Sequence, residues 1–403
     1  MRKIIFFMLS LLSCAATWAQ PRVPVVAPRW VGTWATAQQL PVKSYMPHNN
    51  NMTDRSVRQV VRVSIGGDVL RLRLSNEFGT EPVVISSVYI AEAADSCDVV
   101  PRTAATLRFG GRRELTIAPG KTATSDALKY PLRPLERLAI TINYTKAPRV
   151  PTVHMGSRTT SYILKGRSTA RTSFARAFRE NHWFNIDAVE VYRADAHAIA
   201  ILGNSITDGK NSTDNAQNRW PDRMAEYLQA RHKQGHVGVL NLGIGGNRVV
   251  TAGGLGTMGR ERFARDILGQ SGVETVVIFE GVNDIGAARG NSETVARLLI
   301  EAYQDMIAKA RAHHLRVVLA TITPMKGAGY YSLFHEAARE TVNEWVRAQR
   351  GKVDAILDFD NLLRDPADPH RLRKDLQSDW LHPNAEGYRL MGEYAAGELA
   401  SHK

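Results

Sequence analysis

The sequence predicts two units: a β-sandwich over residues 28–190, and over residues 195–403 a parallel α/β sheet with helices on both faces. Three observations predict this. Before residue 190, short stretches alternate apolar and polar residues around Gly-rich turns, and long helical periodicity is missing. After residue 195, apolar runs alternate with helical patterns. Three of those runs end in turns rich in Gly, Asn and Ser, at the strand ends where open α/β sheets keep their ligands.

In the first unit, Val57 to Ile65 alternates with one break at Val60, Gly66-Gly67-Asp68 reads as a turn, and Leu70, Leu72 and Leu74 alternate with Arg71 and Arg73. This predicts a hairpin whose arginines face outward. A second hairpin is expected at Thr106–Phe109, Gly110-Gly111 and Glu114–Ile117, with further strands at Val83–Ile90 and Leu138–Asn143. Trp30 and Trp34 share one face of an extended segment and read as buried anchors, with stacking on sugar rings as the other option.

In the second unit the expected strands are Ala198–Leu202, Val237–Leu242, Thr275–Phe279, Arg316–Thr321 and Ala355–Phe359. The expected helices are Trp220–His232, Ser292–Ala312, Tyr331–Ala348 and Ala385–Ala400. Pro221 sits at a first helical position, as a helix start requires.

At 403 residues the chain is long enough for two domains with a core each, and 44% apolar content is ordinary for a folded soluble protein. Met1-Arg2-Lys3, the apolar run Ile4–Leu12 and Thr17-Trp18-Ala19 read as a secretory signal peptide over residues 1–19. The alternative is a lipoprotein signal with Cys14 lipidated. The remainder offers no run of about 18 apolar residues, so no transmembrane segment is expected. Cys97 is then the one remaining cysteine, excluding an internal disulfide. His313-His314 reads as a cap or surface pair, metal-ligand spacing is absent, and neither a metal nor a cofactor is expected. The formal charge of +13 becomes +11 without Arg2 and Lys3, which favours anionic partners such as acidic polysaccharide or a phospholipid surface. With no recognised binding motif and a secretory leader, nucleic acid is not an expected partner; oligomeric state is left open.

Four segments in order carry the chemistry: Gly203-Asn204-Ser205-Ile206-Thr207-Asp208-Gly209, Asn241-Leu242-Gly243-Ile244-Gly245-Gly246-Asn247, Gly281-Val282-Asn283-Asp284, and Asp379-Trp380-Leu381-His382-Pro383. A serine hydroxyl is a weak nucleophile until an imidazole takes its proton, and the imidazole works best when a carboxylate fixes its tautomer. The tetrahedral intermediate needs donors at its oxyanion. Ser205 is the candidate nucleophile, His382 the base and Asp379 its orienter. The N–H groups of Ser205 and Gly246 and the side-chain amide of Asn283 are the candidate oxyanion donors. Trp220, Arg248 and Trp380 lie near these residues in sequence and are candidate pocket residues. Taken singly, Ser205 reads as a helix cap, the glycines as a tight turn, and Asn283-Asp284 as an Asx-turn; the four together favour catalysis. Two other motifs fail. Gly203–Thr207 lacks the second glycine of Gly-x-Ser-x-Gly, and Gly243–Arg248 is not Gly-x-Gly-x-x-Gly.

Over residues 195–400 these four blocks resemble the SGNH (GDSL-type) hydrolase family. Its Ser, Gly, Asn and Asp-x-x-His match Ser205, Gly246, Asn283, Asp379 and His382. Asn204 departs from the Asp in the family's name. The resemblance implies a flavodoxin-like three-layer α/β/α fold and hydrolysis of esters, thioesters or lipids. Trp30-Val31-Gly32-Thr33-Trp34 and the Val57–Asn76 segment resemble the β-rich domain that precedes the catalytic domain in some secreted members. The expected function is a secreted serine esterase that removes O-acetyl groups from carbohydrate. The alternatives are a lipase or lysophospholipase, and a non-catalytic carbohydrate-binding protein on the same scaffold.

Overall fold

The computed structural model describes residues 27, 29–43, 46, 51–95, 97–230 and 235–401. The expected signal peptide, with Cys14, lies outside them. No helix among the described residues is long and apolar enough to cross a membrane.

The C-terminal unit is built on a five-stranded sheet in the order Val237–Gly243, His197–Gly203, Val273–Phe279, Arg316–Ala320, Ala355–Leu357, with every pair parallel. In chain order this is 2-1-3-4-5, the flavodoxin-like winding, with its switch point between the first and third strands. Side chains alternate between the two faces, as strand geometry demands. Ile199, Ile201 and Val277 pack with Met224, Leu228 and Met391, from helices Trp220–Ala230 and Ala385–Ser401. Ala200, Leu202, Val276 and Ile278 pack with Leu299, Met306 and Val342, from helices Ser292–Ala312 and Leu333–Arg347.

The N-terminal unit holds two larger antiparallel sheets and a two-stranded one, Val153–His154 with Trp183–Phe184. Of the larger two, one runs Phe178–Glu180, Ser161–Lys165, Arg55–Arg62, Arg137–Lys146, Val83–Glu92, Ala105–Leu107; the other runs Arg29–Ala35, Ile186–Arg193, Gly67–Ser75, Thr122–Thr124. The two expected hairpins are corrected. Arg55–Arg62 and Gly67–Ser75 form, but in different sheets. Arg55–Arg62 is an inner strand buried on both faces, Arg58 and Gln59 included, with the Arg58 head donating to Thr141 Oγ1 at 2.9 Å. The chain then crosses between sheets, where Ser64 N–H donates to Thr33 O at 2.9 Å and Thr33 Oγ1 to Ile65 O at 2.7 Å. Ala105–Leu107 and Leu115–Ile117 both pair with Val83–Glu92 instead of with each other. The Gly110-Gly111 turn is present, closed by the single bridge Phe109–Arg112.

The outward arginine face is corrected too. Arg71 pairs with Glu190 and Arg73 with Asp187, and Arg73 also donates to Gln270 Oε1 at 2.8 Å. That face meets the C-terminal unit. Trp34 is 5% exposed and lies edge-on to Trp183, while Trp30 packs under the Arg71 guanidinium. Trp34 is thus a buried anchor, as expected, whereas Trp30 is partly exposed and holds its place against Arg71 and Tyr192.

The two units do not have separate cores. One buried apolar cluster runs from Val31 and Leu72 through Leu240 to Val317. Strand Val237–Gly243 is the edge of the parallel sheet, and its Val239 N–H is taken by Ser64 Oγ of the N-terminal unit at 2.9 Å. An edge that would otherwise offer free backbone donors is thereby covered.

Candidate active site

Strand His197–Gly203 delivers Ser205 to the switch point as the first residue of a one-turn helix, Ser205–Asp208. The first N–H groups of a helix have no partner inside it. Asn204 caps this turn, its Oδ1 accepting from Ile206 N–H at 3.1 Å. Asn offers the same acceptor as Asp there, which explains why the departure from the family letter is harmless to the loop. The end of strand Val237–Gly243 passes so close that a Cβ on Gly243 would lie 2.4 Å from the Asp208 backbone nitrogen.

Ser205 Oγ lies 2.9 Å from His382 Nε2, and His382 Nδ1 lies 2.8 Å from Asp379 Oδ2. Nδ1 faces a carboxylate and therefore carries the hydrogen, which leaves Nε2 as the acceptor of the serine proton. Asp379 Oδ1 accepts from the backbone N–H of Leu381 and His382, and Oδ2 also accepts from Asn211 Nδ2 at 3.0 Å. Burial pushes the Asp379 carboxyl up, but the donors from His382 and Asn211 outweigh it and hold the group at about 2. Burial pushes the His382 imidazole below its ordinary value, against the bond and charge of Asp379, and the Lys210 and Arg158 cations add to the lowering.

Gly246, at φ +71°, turns the loop after its strand. Gly245 N–H goes to Asp208 Oδ2 and Asn247 N–H to Ile244 O; among the described residues no acceptor takes the Gly246 N–H between them. Asn283 donates one amide hydrogen to Asn247 O at 2.8 Å, and its Oδ1 accepts from Tyr330 Oη at 3.1 Å. The second amide hydrogen remains for a ligand. Asp284 accepts from the backbone N–H of Val249, Val250 and Thr251, fixing the loop that follows Gly246-Asn247.

Ser205, His382, Gly246 and Asn283 line one cleft of about 270 Å³. Trp220 does not reach it: the ring is 0% exposed, packed edge-on against Phe359, with its N–H directed at Thr207. The sequence reading placed it by proximity, whereas the Pro221 helix turns the indole inward. Arg248 donates to Ala252 O within its own loop, and Trp380 stands against Gly327 and the Arg371 guanidinium; neither lines the cleft.

Several cleft residues escaped the sequence reading. Gln39, Met155, Gly156 and Arg158 come from the N-terminal unit, and Lys210, Leu255, Tyr330 and Leu381 complete the lining. Arg262 is 0% exposed beneath the site and donates to Gly203 O, Leu242 O, Asn247 Oδ1 and Asp266, tying two strand ends and the Gly246 loop together. No local sequence signal marks these positions, because their meaning lies in long-range contact. Two groups among the described residues gather three possible metal ligands, Asp95–Cys97–Asp98 and Glu336–Glu340–His370. Neither lines the cleft, and Glu336 is already engaged by Arg339.

A 2-1-3-4-5 sheet with a serine, an imidazole and a carboxylate hydrogen-bonded in series at its switch point defines the class of the C-terminal unit. Residues 201–390 match the model of the GDSL-like Lipase/Acylhydrolase family, and this segment is a domain of that family. Solved structures similar to the chain include a protein assigned to the G-D-S-L lipolytic family from Desulfitobacterium hafniense DCB-2, 25% identical, covering 50% of this chain and 98% of its own, with TM-score 0.39. Est24, a carbohydrate acetylesterase from Sinorhizobium meliloti, is 15% identical, covering 51% and 99%, with TM-score 0.40. A GDSL-like lipase from Bacteroides thetaiotaomicron VPI-5482 is 19% identical, covering 50% and 86%, with TM-score 0.37. No curated protein matches the chain.

Proposed function

We propose that the protein is a secreted serine esterase that removes short acyl groups, acetyl foremost, from carbohydrate. The observation that carries the reading is the 2.9 Å contact of Ser205 Oγ with His382 Nε2 in a cleft shared with Gly246 and Asn283. In this reading His382 takes the proton from Ser205 as the hydroxyl attacks the ester carbonyl. The oxyanion is held by the N–H groups of Ser205 and Gly246 and by the free amide hydrogen of Asn283. His382 then gives the proton to the leaving alcohol, and water, activated by the same imidazole, releases the acid from the acyl-enzyme. Asp379 keeps the imidazole oriented and stabilises its charged form.

Support for a short acyl group is the modest cleft volume, with Gly245, Gly246, Leu255 and Tyr330 in its lining. Support for carbohydrate is the secretory leader read from residues 1–19 and the N-terminal β-rich unit that walls the cleft with Gln39, Met155, Gly156 and Arg158. The test compares 4-nitrophenyl acetate with the octanoate ester in wild type and Ser205→Ala. Acetate preference that vanishes in the variant is expected. Octanoate preference would move the substrate to lipids, and activity surviving in Ser205→Ala would overturn the serine mechanism.

A further inference from the structure

We propose that Arg158 and Lys210 bind a carboxylate on the alcohol half of the substrate, so that the esters this cleft takes are acylated acidic sugars. The proposal rests on the esterase reading above and narrows its substrate class.

Both cations line the cleft of Ser205 and His382. Neither has an ion-pair partner among the described residues. Arg158 Nε is fully buried without a hydrogen-bond acceptor; the Nε atoms of Arg137, Arg223 and Arg371 share that state, but Arg223 pairs with Glu226 and Arg371 with Asp365 and Asp368, whereas Arg158 has no such carboxylate. A buried donor left without an acceptor is costly, and a ligand that supplies the acceptor recovers that cost. The carboxylates nearby are already committed. Asp208 accepts from His154 and from Gly245 N–H, and Asp379 accepts from His382 and Asn211.

The Arg158 backbone is also fastened. It sits at φ +49°, in the left-handed region, and its carbonyl accepts from Asn215 N–H at 2.9 Å. Asn215 in turn accepts from Thr160 N–H at 2.8 Å and donates to Thr160 Oγ1 at 3.0 Å. A strained, fastened residue that presents an unpaired guanidinium to a cleft fits ligand binding better than chain closure. The planar guanidinium fork matches a carboxylate in two hydrogen bonds, and Lys210 adds a point charge.

The side of the cleft follows from the reaction. His382 protonates the oxygen that leaves, so the alcohol half lies on the His382 side. Lys210 lies on that side by its neighbours, Asn211 donating to Asp379 Oδ2 at 3.0 Å and Tyr388 to Lys210 O at 2.6 Å, and Arg158 lines the same cleft. Around Gly245, Gly246 and Leu255 the lining carries only the Asp208 carboxylate, already taken by His154 and Gly245 N–H, and no cation for the acyl half.

The test uses a matched pair, 4-acetoxybenzoate and its methyl ester, which differ by one carboxylate on the alcohol half. The quantity read is the ratio of their kcat/KM values in wild type divided by the same ratio in each variant, so intrinsic reactivity cancels. Arg158→Gln is expected to lower the ratio about tenfold to a hundredfold, the range of a charged hydrogen bond. Lys210→Gln should lower it less, because Lys210 is exposed, and Arg158→Lys should keep part of it. In wild type the ratio should also fall as salt is raised. An equal ratio in wild type and Arg158→Gln would overturn the proposal while leaving the esterase intact. Mono(4-nitrophenyl) succinate carries its carboxylate on the acyl half; if Arg158→Gln affects that ester instead, the assignment to the alcohol half is wrong. Failure of wild type to hydrolyse any of the three would remove the esterase reading, and this proposal with it.

Discussion

His154 of the N-terminal unit holds Asp208, three residues past Ser205, with Nε2 at 2.9 Å from Oδ1. Its Nδ1 lies 2.9 Å from Ala37 O, so both ring nitrogens face buried oxygen partners. The other Asp208 oxygen accepts from Gly245 N–H, next to the candidate oxyanion donor Gly246. The N-terminal unit thus reaches the glycine loop through a buried carboxylate.

His154→Ala leaves that carboxyl group, 2% exposed, without this hydrogen-bond partner. Losing a buried hydrogen bond to a carboxyl group costs about 1.5–3 kcal/mol. We expect a lower denaturation midpoint and a lower kcat together, measured by urea unfolding and ester hydrolysis. Loss of stability with kcat unchanged would show that the contact fastens the two units without shaping the loop.

Asn283→Ala removes the proposed oxyanion amide and should lower kcat about 10²–10³-fold with little change in KM. Tyr330→Phe removes only the hydroxyl that orients Asn283 Oδ1 at 3.1 Å, and should lower kcat by about tenfold or less. Steady-state kinetics on 4-nitrophenyl acetate separates the two. Wild-type kcat in Asn283→Ala would take that residue out of the mechanism.

The pH profile has a definite sign. His382 must be neutral to accept the serine proton, and its value in the fold lies below the ordinary 6.5. The acid limb of kcat/KM should therefore fall below pH 6.5, with Asp379, at about 2, ionised throughout. Lys210→Gln removes a charge that lowers His382, so the limb should move to higher pH. A limb that moves to lower pH would contradict the electrostatics described.

The parallel unit was legible because strands buried on both faces leave continuous apolar runs, as in Ala198–Leu202 and Val276–Phe279. Helix Ser292–Ala312 has the bounds that its periodicity predicts. The β-rich unit was legible as a class but not in its pairing. Adjacent strands around Gly66-Gly67 looked like a hairpin because local alternation does not say which sheet a strand joins. Val153–His154 and Trp183–Phe184 are too short to show any period, yet they lie beside cleft residue Met155 and the His154–Asp208 contact. The residues Ser205, Gly246, Asn283, Asp379 and His382 stood out by motif; Arg158, His154 and Arg262 gain their meaning only from partners far along the chain.

Arg262 offers a test of the scaffold under the site. Arg262→Met strips buried Asp266 and Glu280 of their shared cation, and burial already pushes the Glu280 carboxyl up. Asp266 keeps its pair with Arg265, so the cost falls mainly on Glu280 and the freed strand-end carbonyls and is expected at about 3 kcal/mol in urea unfolding. A change near zero would show that the strand ends hold without the clamp.

The central claim is a covalent acyl-enzyme on Ser205. Brief reaction with 4-nitrophenyl acetate, acid quenching and peptide mass spectrometry read it directly. The account predicts one acetyl group on the peptide containing Ser205, burst kinetics that precede steady turnover, and neither in Ser205→Ala. An acetyl group on another residue, or turnover that persists in Ser205→Ala, would contradict it.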